Sequence, residues 1–62
     1  MNIWIKVSDV KFAKQLLGRD RFNKITKEAY TDLRLAGFTT KQSKLGALQM
    51  AVEQADAIIE AA

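Results

Sequence analysis

Toward the end of the chain the apolar residues Leu45, Leu48, Val52, Ala55, Ile59 and Ala62 recur at alternating steps of three and four. That spacing lays them along one side of an α-helix, as the a and d positions of a heptad do. It is the longest periodic stretch in the sequence, so any core is expected to form against this last helix. With 62 residues the chain makes a single small domain, 1–62, and a single core of that size supplies only about 3–5 kcal/mol. Small folds are commonly fastened by disulfides or zinc, and this one has neither cysteine nor histidine. Self-association or close helix packing is what remains, and a homodimer is the expectation.

The rest of the chain reads as a short strand and two helices. Asn2–Val7 alternates, with Ile3, Ile5 and Val7 on one side and Asn2, Trp4 and Lys6 on the other, which predicts a short β-strand or extended arm. Ser8 is the expected N-cap of a first helix over Asp9–Leu17, with apolar positions Val10, Phe12, Ala13, Leu16 and Leu17, ended by Gly18. Asp20 would cap a second helix over Arg21–Leu35, whose stripe is Phe22, Ile25, Ala29, Leu33 and Ala36. Gly37 and Phe38 have the form of a Schellman ending, and Thr39 or Thr40 caps a third helix running to about Ala61. Gly46 and the alanines around it are expected to let another backbone approach closely. The fold class is therefore mainly α, a strand or arm followed by three helices, the last longest. A ribbon-helix-helix-like α+β dimer, in which the strand pairs with its symmetry mate, is the alternative.

Charge is distributed unevenly. All ten Lys and Arg fall in Met1–Lys44 against four acids, a net +6, while Leu45–Ala62 has three acids and no cation, a net −3. Such asymmetry suits a surface that meets nucleic acid or an acidic partner. No apolar run approaches the roughly 18 residues of a membrane span, and no basic segment leads into an apolar signal region, so a cytoplasmic location is expected. The acidic polar face of the last helix speaks against binding anionic lipid. Catalysis is disfavoured, because the usual general base and thiol nucleophile are both missing. Carboxylates at helical spacing, such as Glu28 with Asp32, have too small a chain around them to form a cleft. Neither a cofactor nor a metal is expected.

Two functions compete. In the first, a small regulatory protein binds DNA through its basic N-terminal two-thirds. Arg19, Arg21, Lys24, Lys41 and Lys44 would neutralise phosphates, Thr39 and Thr40 would donate to them at a helix start, and Gln42 would read adenine. Two helices joined through Ala36-Gly37-Phe38-Thr39 have the outline of a helix-turn-helix. In the second, a phage- or plasmid-encoded module binds and inhibits a host protein, with Trp4 and Tyr30 as its anchors, since both lie off the main apolar stripes.

Overall fold

The computed structural model describes residues 6–61, which form three helices, α1 over Val7–Leu17, α2 over Arg19–Leu35 and α3 over Thr40–Ala61. The mainly α class and the number and order of helices follow the sequence. Most of Asn2–Val7 lies outside the described residues. Val7 itself is helical, and Lys6 is the extended residue ahead of it. The Lys6 carbonyl accepts from the Asp9 and Val10 amides at 3.1 and 3.3 Å. The helix therefore opens before Ser8 and has no side-chain cap.

The second boundary also differs from expectation. Gly18 is the only residue between α1 and α2, and its φ of 85° and ψ of 154° belong to a region open essentially to glycine alone. Its amide donates to Lys14 O and its carbonyl accepts from the Phe22 amide, so one residue closes α1 and starts α2. Asp20 consequently sits in the first turn of α2, beyond the capping position, and the helix has no side-chain cap. The turn after α2 is the predicted Schellman motif. The Phe38 amide donates to Leu33 O at 3.1 Å, the Gly37 amide to Arg34 O at 3.1 Å, and Gly37 has φ 99°.

α2 and α3 pack as an antiparallel hairpin, with Leu33 beside Gly46 near the turn and Phe22 clustered with Ala51 and Ala55 at the far end. At about 1.5 Å per residue α3 is some 33 Å long, so it runs nearly the whole 35 Å length of the molecule. α1 lies across this pair and packs more on α3 than on α2. The core is made of Ala13 and Leu17 from α1, Phe22 from α2 and Ala51 and Ala55 from α3, with Val10, Ile25, Leu48 and Val52 half-buried around it.

The buried face of α3 overlaps the heptad stripe only in part, at Ala55 and, half-buried, at Leu48 and Val52. Ser43, Gly46, Ala47, Ala51 and Ala55 face inward, whereas Leu45 is 39% and Ile59 47% exposed. Small residues win the inward face because they let α3 lie close to α2, whose larger Phe22 and Leu33 fill the space between. Gly46 shows how tight the fit is. A Cβ built there would stand 2.5 Å from Leu33 Cδ1, so what approaches this glycine is a side-chain tip and not a second backbone.

Candidate nucleic-acid interface

All eight of the residues assigned to nucleic acid by sequence are exposed, but they do not form one site. Arg19, Arg21 and Lys24 lie in the opening turns of α2, Thr39 caps α3, and Thr40, Lys41, Gln42 and Lys44 lie in its opening turns. Because the hairpin is antiparallel, Arg19 and Arg21 stand at the end opposite Thr39–Gln42, separated by most of the roughly 25 Å length of α2, while Lys44 lies further along, beside Thr26 and Lys27. The turn joins two helices packed along their lengths, so α3 is a core helix that presents only its first turns and one flank to a partner.

The start of α3 is also occupied with its own capping. Thr39 Oγ1 accepts the Gln42 amide at 3.2 Å, and Gln42 Oε1 accepts the Thr39 amide at 3.1 Å. This reciprocal pair is a capping box, which satisfies donors the helix end would otherwise leave bare. It leaves Gln42 its amide NH2 as a donor but takes the carbonyl oxygen that bidentate reading of adenine requires. Beside it, Arg34 Nη1 donates to the Phe38 carbonyl at 2.9 Å, tying the turn from the α2 side.

Folding brings other residues together. Thr26, Lys27 and Tyr30 of α2 and Lys44, Ala47 and Leu48 of α3 line one hollow along the hairpin seam. On the opposite side of the same seam Ala29, Asp32 and Leu33 meet Gly46, Gln49, Met50 and Glu53 in an apolar groove. The two seam hollows thus carry opposite charge, Lys27 and Lys44 in one and Asp32 and Glu53 in the other, while on the outer face of α2 Lys24 and Lys27 share a hollow with Glu28 and Asp32. Tyr30, half-buried, belongs to the cationic side. A further cationic cluster, Lys11, Lys14 and Arg19 with Gln15, lies at the α1–α2 junction, where Lys14 Nζ sits 5.4 Å from the centre of the Phe22 ring. Lys11, Lys14 and Lys27 are not residues that sequence reasoning singles out. The signal for Lys27 is the antiparallel register, which sets Tyr30 and Lys44, each seven residues from Gly37, side by side, with Lys27 one turn along α2 from Tyr30.

Trp4 lies outside the described residues. Among the described residues no group of three or more His, Cys, Asp or Glu side chains is placed to hold a metal ion, and no helix is long and apolar enough to cross a membrane. Comparison with protein-family models, with curated proteins and with solved structures finds no match.

Proposed function

We propose that the chain is a small nucleic-acid-binding protein with a regulatory role, and that it meets the phosphate backbone through the cationic side of the α2–α3 hairpin. The observation that supports this is the segregation of charge across the seam, with Lys27, Tyr30 and Lys44 on one side and Asp32 and Glu53 on the other. Two lysines from different helices flank an aromatic ring there. The ammonium groups suit phosphate oxygens, and the tyrosine can lie against a sugar or a base. Lys11, Lys14 and Arg19 extend the cationic surface to the α1–α2 junction.

Binding of this kind depends on counterion release, so affinity for duplex DNA is expected to fall steeply as salt rises. Fluorescence anisotropy with a labelled duplex across a salt series measures the slope. Replacing Lys27 and Lys44 together by alanine should reduce the slope of log K against log salt by about two, roughly 0.9 for each phosphate that is no longer neutralised. Absence of duplex binding at low salt would sink the reading. A protein-binding role is the second reading, and the groove between Ala29, Leu33, Gly46 and Met50 favours it, because an apolar floor between Asp32 and Glu53 fits an apolar segment that carries a cation. Under that reading Met50→Glu abolishes capture of the partner and Lys27→Ala with Lys44→Ala leaves it intact.

A further inference from the structure

Among the described residues, the outer line of the α3 heptad stripe is covered only at its middle. Leu45, Val52 and Ile59 are spaced by seven, which places them on nearly one line along the helix. Val52 is half-buried at the middle of that line, with Leu45 and Ile59 exposed on either side. The line faces away from α2, which packs on Gly46 and its neighbours. α1 has exposed apolar residues of its own. Lys14 leans over Phe22 of α2, so the flank of α1 bearing Lys14 faces α2. Phe12 and Leu16, each two residues from Lys14 and so about 160–200° away around the helix, fall on the opposite flank. They are 48% and 40% exposed.

The charges of α3 point to what covers this surface. A lone helix is stabilised by acids in its first turn and cations in its last. α3 has neither. It has Lys41 and Lys44 at its start and Asp56 and Glu60 near its end, the reverse of what its own dipole favours. At the acidic end Arg21 and Lys24 line the groove that holds Gln54, but Asp20 and Glu28 line it with them. At the other end α2 adds another cation, Arg34, to the two lysines. A second α3 running antiparallel would answer both ends at once, setting each cationic start beside an anionic end and opposing the two dipoles.

We propose that a second copy of this chain covers the face, with the two α3 helices antiparallel and Val52 on the two-fold axis. In that register Leu45 packs on Ile59 of the partner subunit, Lys44 stands level with the partner's Glu60, and Lys41 lies within one turn of it. Phe12 and Leu16 widen the contact. The inference does not depend on nucleic-acid binding, and it is tested without any nucleic acid.

Sedimentation equilibrium should show a dimer, and Lys41→Glu should weaken it by about tenfold in Kd, although an acid in the first turn favours the helix itself. Adding Glu60→Lys to that variant should restore the dimer. The chain has no cysteine, so introduced ones report geometry cleanly. Val52→Cys should form a disulfide-linked dimer under mild oxidation. Leu45→Cys alone should not, whereas a mixture of Leu45→Cys and Ile59→Cys protein should cross-link. Circular dichroism confirms that each variant is folded. A monomer at every accessible concentration would overturn the proposal. So would self-cross-linking of Leu45→Cys, which demands parallel helices, or a dimer indifferent to Lys41→Glu.

Discussion

Between α1 and α2 the chain has one residue, Gly18, and neither helix end there has a side-chain cap. Between α2 and α3 it devotes Ala36–Thr39 to a Schellman pair, an Arg34 bond to the Phe38 carbonyl and a reciprocal Thr39–Gln42 box. The second turn is specified by side chains near it in sequence and would be favoured even before the helices meet. The first is held by one glycine conformation and by the burial of Leu17 and Phe22 on either side of it. α1 is accordingly the element most dependent on the rest of the fold, since 11 residues are too few to stay helical alone. The hairpin is the part that can form first.

The largest test of that difference is Gly18→Ala. No atom crowds the position, so the whole penalty is conformational, about 1–3 kcal/mol for a backbone region that side chains avoid. On a domain whose total stability is only about 3–5 kcal/mol that is a large share. The urea midpoint should fall accordingly. Amide exchange should quicken in α1 before it does in the hairpin. Uniform acceleration through all three helices would show that the junctions do not differ in the way described.

Gly37→Ala comes next. This position is also uncrowded, and its φ of 99° costs a side chain about 1–2 kcal/mol, but the surrounding bonds of the turn remain. A midpoint loss smaller than that of Gly18→Ala is expected, with the α2–α3 pairing retained.

Thr39→Ala should cost about 1 kcal/mol by removing the acceptor for the Gln42 amide. Thermal denaturation checks it, with a fall of about 4–8 °C expected for a domain this small. A change within error would mean that Thr40 can take over the cap.

These junctions also show what can be read from the sequence. The Schellman turn and the extent of α3 are legible because their determinants, Gly37, Phe38 and Thr39, act on immediate neighbours. The start of α1 and the α1–α2 junction depart from their local signals, because Ser8 and Asp20 offer good caps that the fold does not use. Continuous helix on both sides of Gly18 buries Ala13, Leu17 and Phe22 together, and that long-range gain outweighs a cap worth about 1 kcal/mol. The inward face of α3 is hidden for a related reason. Periodicity marks large apolar residues, and here the residues that face inward are small ones, chosen by the closeness of α2. The cationic hollow needs the register of the hairpin, because Lys27 and Tyr30 lie far in sequence from Lys44.

The smallest effect is expected from Gln42→Glu, at the better-made turn. A carboxylate at this position keeps the bond to the Thr39 amide, makes it charge-assisted and places an acid in the first turn of α3, where the structure has none. The gain should be about 0.3–1 kcal/mol, seen as a melting temperature raised by a few degrees. No equivalent improvement is open at Gly18, where no side chain caps either helix. The same substitution removes one positive unit of net charge from the end of the hairpin and deletes the free amide donor. Under the proposed function it should therefore weaken duplex binding while strengthening the fold, and a loss of stability would mean that the capping box is not what holds the start of α3.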